Sequence, residues 1–171
     1  MIEALFIGLI GLVFYAYLGY GLLLWMILKI RGDYPQQEAP DSYSPSISLI
    51  VPCFNEADYI LEKVANSKAL EYPADKLQLI FISDGSNDAT AELLREVPGI
   101  LHLHEDQRAG KAAAMNRAMA YAEGEIVVFC DANTDLNPEA LRYLSRHYAD
   151  EKVGGVTGEK RIVKRDEAGA S

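Results

Sequence analysis

The chain has 171 residues, room for one domain plus an appendage. Its formal net charge of −9 excludes the basic footprint that a nucleic-acid binder needs. Its two cysteines, Cys53 and Cys130, each close an apolar run and read as buried thiols of a reducing compartment rather than a disulfide.

The appendage comes first. No charged residue occurs from Ala4 to Leu28, and at about 1.5 Å per residue that run can cross a ~30 Å hydrocarbon core. A buried soluble helix would show a polar face, and this stretch shows none. A cleaved signal peptide would need a basic start and a shorter apolar core, whereas the early charge here is Glu3. Lys29 and Arg31 follow the run and nothing basic precedes it, so the positive-inside rule places the C-terminal side in the cytoplasm. Tyr15, Tyr17, Tyr20 and Trp25 are amphipathic rings of the kind found near membrane interfaces. Residues 1–31 are therefore expected to be a single-pass membrane anchor. Residues 32–45, with three prolines and no periodicity, are expected to be a linker.

From residue 46 short apolar runs alternate with helical patterns. Ile47–Val51 reads as a strand ended by Pro52, because proline cannot continue a central ladder. Ile60, Leu61, Val64 and Ala65 form a helical stripe that stops before Tyr72-Pro73. Leu77–Ser83 is a second strand, and Asn87–Val97 a helix capped by Asn87 or Asp88. Ile100–His104 is a third strand and Gly110–Ala122 a helix ending at Gly124. Ile126–Cys130 is a strand whose unbroken apolar character fits cover on both faces. Pro138 opens a helix over Glu139–Tyr148, and Val153–Thr157 looks like a fifth strand. The alternation predicts an α/β domain over residues 46–171, a three-layer, mostly parallel sheet.

In such a sheet, ligands bind in the crevice outside the strand carboxyl ends. Two apolar runs end in acids, at Asp84-Gly85-Ser86 and Asp131-Ala132-Asn133, and would aim them into one crevice. Asp131 and Asn133, two apart in an extended segment, point the same way. They can converge on a hard cation, Mg²⁺ or Mn²⁺, which takes oxygen ligands and bridges to phosphates. Pro52-Cys53-Phe54-Asn55-Glu56 turns near the same crevice, where Asn55 and Glu56 either cap the next helix or face a ligand. A turn rich in Asp, Asn and Ser accounts for Asn87 and Asp88, but not for Asp84 at the very end of its strand. Arg108-Ala109-Gly110-Lys111 sets basic side chains and free N–H groups at a helix start. Lys111 there can neutralise a diphosphate or simply face solvent, and Asn116 is a surface polar residue or a pocket wall. His102 and His104 share a strand face but lack further nearby ligands for zinc.

Taken in order, Ile50–Glu56, Ser83–Thr90, Arg108–Lys111 with Asn116, and Asp131–Asn133 resemble the nucleotide-binding half of a family 2 glycosyltransferase with the GT-A fold. The resemblance covers about Ser46 to Gly158, and a preceding transmembrane helix is typical of membrane-bound members. It implies an inverting transfer of a sugar from a nucleotide-diphospho-sugar to a saccharide or lipid acceptor. Asp84 would contact the base, in a pocket completed by the turn containing Pro52, Phe54, Asn55 and Glu56. Lys111 would lie near the diphosphate, and Asp131 and Asn133 would occupy the DXD positions that hold the metal and donor. Asn133 departs from that pattern, which has Asp.

In the family the catalytic base lies in a following acceptor half. Glu159, Asp166 and Glu167 read here as surface charge, so the chain is expected to be a fragment lacking that base, binding donor but transferring poorly. The alternative is a non-catalytic nucleotide- or partner-binding module of the same fold. A dinucleotide-binding enzyme is disfavoured, because Pro52–Glu56 stands where G-x-G-x-x-G would be.

Overall fold

A computed structural model describes residues 1–32, 39–40 and 42–161. It divides into two compact units, Met1–Gln36 and Gln37–Ser171. Half of the expected linker, with Asp166 and Glu167, lies outside the described residues.

The first unit is one helix, Ile2–Arg31, about 45 Å long at the usual rise. It comprises α1 (Ile2–Phe14), a π-helical turn over Tyr15–Gly19, and α2 (Tyr20–Arg31). None of its residues is buried, so its apolar surface faces outward all round. The helix is long and apolar enough to cross a membrane. Its last turn carries Lys29 and Arg31, favourable at the negative end of the helix dipole, and the Lys29 ammonium stands 4.8 Å over the Trp25 ring.

The second unit is built on a four-stranded parallel sheet in the order β3-β2-β1-β4. Its strands are β1 (Ile47–Cys53), β2 (Leu77–Asp84), β3 (Leu101–Glu105) and β4 (Ile126–Phe129). Alternation along the inner strands divides the core. Leu49, Val51, Leu79 and Phe81 join a cluster with Ile60 and Val64 of α3 (Ile60–Lys68), Leu94 of α4 (Thr90–Arg95) and Leu141 of α6 (Ala140–Ser145). Ile50, Ile80 and Ile82 face the other way, onto Ala114 and Ala118 of α5 (Lys111–Met119). Helices thus cover both faces, and the three-layer α/β expectation holds.

Four expectations are corrected. Pro52 does not end β1: it pairs with Ile82 inside the β1–β2 ladder. Ile50 accepts from the Cys130 amide on the β4 side, so Pro52, two residues on, would aim an N–H to that same side. The β4 ladder has already finished there, at the Ile50–Phe129 pair, and the missing donor costs nothing. The second helix starts only at Thr90, with Ala89 as N-cap, because Ser86, Asn87 and Asp88 are engaged with the loop after β1. β4 is not covered on both faces: Phe129 is 46% exposed, and among the described residues β4 pairs with β1 alone. Val153–Thr157 forms no strand. Val156 and Thr157 instead line a cavity beside β4 with Leu144 and Tyr148.

One buried carboxylate sets the far end of the sheet. Asp84, the last residue of β2, accepts from the amides of Ala109 (3.1 Å) and Gly110 (2.7 Å) and from Arg117 Nη2 (2.6 Å). The β2 terminus is thereby tied to both the start and the body of α5. Gly85 makes this approach possible. Its φ is +67°, and a Cβ there would meet the Arg108 backbone nitrogen at 2.5 Å. Gly85→Ala is therefore expected to lower stability by about 2–4 kcal/mol, read from urea unfolding of the purified protein.

Burial works to raise the Asp84 pKa, but Arg117 and the two amides outweigh it and hold the carboxyl below its ordinary value of 3.8. Such a group stabilises the fold fully above pH 3.8, and that contribution is lost as pH falls through the lower folded value. Asp84→Asn is expected to be less stable at neutral pH and to show a shallower loss of stability with acid. A pH series of urea midpoints checks both.

Candidate active site

β1 is the point where the strand order reverses, with β2 on one side and β4 on the other. A crevice outside the strand carboxyl ends is expected at such a point, and a cavity of about 330 Å³ lies there. Pro52, Phe54 and Glu56 enter from β1, Asp84 from β2, Arg108 and Lys111 from the approach to α5, and Asp131 and Asn133 from the end of β4.

The loops around this cavity are tied to each other. Asn55 takes a left-handed backbone (φ 53°), and its Oδ1 accepts from the Asn87 amide at 3.0 Å. The Ser86 hydroxyl accepts from the Asn55 amide at 3.2 Å. Asp88 accepts from the Ala57 amide and from the amide and hydroxyl of Thr90, whose own oxygen accepts from the Glu56 amide at 2.9 Å. Asn55 thus joins the β1 and β2 loops and is not among the cavity-lining residues. It caps no helix either, since α3 begins at Ile60 with Tyr59 as N-cap. Asn116 is exposed and also stands away from the lining.

Charge is unevenly distributed over the walls. Lys111 Nζ donates to Asp131 Oδ1, and Lys160 Nζ stands 3.8 Å from Oδ2. The Lys111 hydrogen bond, against burial and aided by the charges of Lys111, Lys160 and Lys63, holds the Asp131 carboxyl below its ordinary range. Glu56 is displaced upward, first by burial and then by the negative charges of Asp88 and Asp131. The Arg108 guanidinium lies 3.7 Å from the centroid of the Phe54 ring and forms a cationic, flat-sided wall.

The anion site expected at the start of α5 is partly taken from within. Two of its amides, from Ala109 and Gly110, already bind the Asp84 carboxylate. Lys111 remains on the cavity wall, exposed apart from its Asp131 contact. Cys53 also lines the cavity, but burial pushes its thiol up to about 12, far from a nucleophile's range. His102 and His104 both meet the Ser83 hydroxyl, at 3.1 and 2.7 Å.

Sequence reasoning did not single out three residues that shape the site. Arg108 was part of a recognised motif, and its place three residues before Lys111 was the available signal. Lys160 reaches Asp131 only because the segment after α6 turns back past β4, which no local pattern announces. Arg117 lies in the last turn of α5, and its guanidinium bonds a buried acid at the end of β2.

The sequence profile described as Glycosyl transferase family 2 matches residues 48–169. A poly-beta-1,6-N-acetyl-D-glucosamine synthase of Staphylococcus aureus is 35% identical over 120 residues, covering 68% of this chain and 29% of the relative. Among solved structures, a mannosyltransferase from Pyrobaculum calidifontis, in complex with GDP-Man and Mn²⁺, is similar with a TM-score of 0.77 and 35% identity. That similarity covers 94% of this chain and 48% of the mannosyltransferase. TarS of S. aureus (1-349), in complex with UDP, is similar with a TM-score of 0.56 and 25% identity over 69% of this chain and 38% of TarS. The chain spans less than half the length of each of these relatives. The shared architecture is the GT-A fold, and with the profile covering well over half of its sequence this chain belongs to glycosyl transferase family 2.

Proposed function

We propose that the α/β unit binds the nucleotide-diphospho-sugar donor of a membrane-anchored, inverting glycosyltransferase. The observation that carries this reading is the convergence of Phe54, Glu56, Asp84, Arg108, Lys111, Asp131 and Asn133 on one crevice at the switch point of the sheet. Phe54 and Arg108 offer a flat, cationic wall for a base. Asp84 borders the same pocket. Its Oδ2 is taken by two amides, while Oδ1 accepts from Arg117 and keeps a lone pair for a base N–H. Asn55 acts through the loops, holding Phe54 and Glu56 in place. Lys111 and Lys160 supply positive charge where a diphosphate would lie. The sugar acceptor would be a saccharide or a lipid.

A divalent cation fits the residues present. Asp131 and Asn133 both line the cavity and offer a carboxylate and an amide oxygen. Among the described residues no group of three or more His, Cys, Asp or Glu side chains is placed to hold a metal ion. That sparse set suits Mg²⁺ or Mn²⁺, which keep most of their coordination for water and phosphate oxygens. When bound there, the ion would supply charge neutralisation for the leaving nucleoside diphosphate.

Calorimetric titration with UDP and GDP, with and without Mn²⁺, tests the assignment. Wild type is expected to bind one of them more tightly with Mn²⁺. Asp131→Ala is expected to weaken that binding at least tenfold and to abolish the metal dependence. Unchanged, metal-independent binding in the variant would overturn it.

For the anchor, we propose that Ile2–Arg31 spans the membrane with the α/β unit in the cytoplasm, as the Lys29 and Arg31 flank supports. A Lys152→Cys variant is expected to resist membrane-impermeant maleimide in intact cells and to label after lysis. Labelling in intact cells would reverse the topology.

A further inference from the structure

α3 carries a buried lysine that is not part of the crevice lining. Lys63 is 1% exposed, the largest fully buried side chain of the molecule among the described residues. An ammonium removed from water is costly unless its donors are satisfied. No carboxylate bonds to this one. Its Nζ donates to the Thr134 carbonyl (2.5 Å), to Cys130 Sγ (3.2 Å) and to Asn66 Oδ1 (3.4 Å). All three donors are used, and two of the three acceptors flank Asp131-Ala132-Asn133.

Asn66, one helical turn further along α3, completes the grip. Its Nδ2 donates to the Leu136 carbonyl at 2.9 Å, and its Oδ1 accepts from the Leu136 amide at 3.0 Å. The loop leaving β4 is thus held at Cys130, Thr134 and Leu136, while Ala132 is buried at 5% exposure. Between these fixed points Asp131, Ala132 and Asn133 line the cavity, and Asp131 and Asn133 bring the polar side chains.

We infer that Lys63, together with Asn66, is the positioning pair that holds the Asp131–Asn133 loop in its binding geometry. The pair acts from behind the loop and touches no ligand. Its consequence for donor binding rests on the reading proposed above, whereas its hold on the loop does not.

The test compares Lys63→Met, which keeps length and removes the charge, and Asn66→Ala with a core control, Val64→Ala. Hydrogen exchange of the ligand-free full chain is followed by mass spectrometry in peptides covering 130–137 and 77–84. Both variants are expected to raise exchange in 130–137 at least tenfold while 77–84 stays within a factor of two of wild type. Val64→Ala is expected to lower the melting temperature without that selective loosening. Titration of UDP or GDP with Mn²⁺ is expected to weaken at least tenfold in Lys63→Met and not in Val64→Ala. Should Lys63→Met fail to fold, Asn66→Ala carries the same comparison, since Asn66 lies at the half-exposed margin of the helix. Wild-type exchange of the loop in the variants, or equal loosening in Val64→Ala, would overturn the inference. If wild type binds neither nucleotide, the donor reading fails, while the exchange data still decide the role of Lys63.

Discussion

The Asp84 carboxylate is the constraint on which the site end of this molecule depends. It is 4% exposed and ionised, and a charge so placed survives only if both its oxygens are hydrogen-bonded. Arg117 and the amides of Ala109 and Gly110 supply those bonds. Those partners come from the segment after β3 and from α5, so satisfying one acid at the end of β2 brings the Arg108–Lys111 loop over the sheet. The positions of Arg108 against Phe54 and of Lys111 against Asp131 follow from that placement. Gly85 next to the acid is what lets the two backbones approach.

A second layer of polar ties does the same for the remaining loops. Asn55, Ser86, Asn87, Asp88 and Thr90 exchange hydrogen bonds between the β1 and β2 loops, and Lys63 and Asn66 reach from α3 to the β4 loop. Each cavity wall is therefore braced by a neighbour rather than by its own helix cap. This explains why helices expected to begin at Asn87 and near Asn55 begin later. Asn55 Oδ1 and Asp88 Oδ2 accept across the loops instead, from the Asn87 and Ala57 amides, and so satisfy backbone donors at a crevice that must stay open.

The balance of charge in the crevice is consistent with an anionic ligand that arrives with a cation. Arg108, Lys111 and Lys160 face Asp131 and Glu56, and Asp131 is neutralised by lysines in this structure. A diphosphate alone would compete with Asp131 for those lysines, while a divalent ion on Asp131 removes the competition. Membership of glycosyl transferase family 2 and the shared GT-A fold agree with that chemistry.

Several features were legible from the chain alone. The uncharged stretch after Glu3, the parallel α/β alternation, and the acids closing the second and fourth apolar runs are local patterns, written in hydrophobic period and strand-end residues. The motifs in series were enough to indicate the family. What tertiary structure decided were relations between segments far apart in sequence. Pro52 stays in β1 because β4 has already ended beside it. Asp84 is bonded by Arg117, which lies a helix and a strand further on. The Lys63 ammonium on α3 ends among Cys130, Thr134 and Asn66, two of them far along the chain. Periodicity records which face of an element is apolar. Whether a polar side chain on that face finds a partner depends on which distant backbone groups the fold brings within about 3 Å of it.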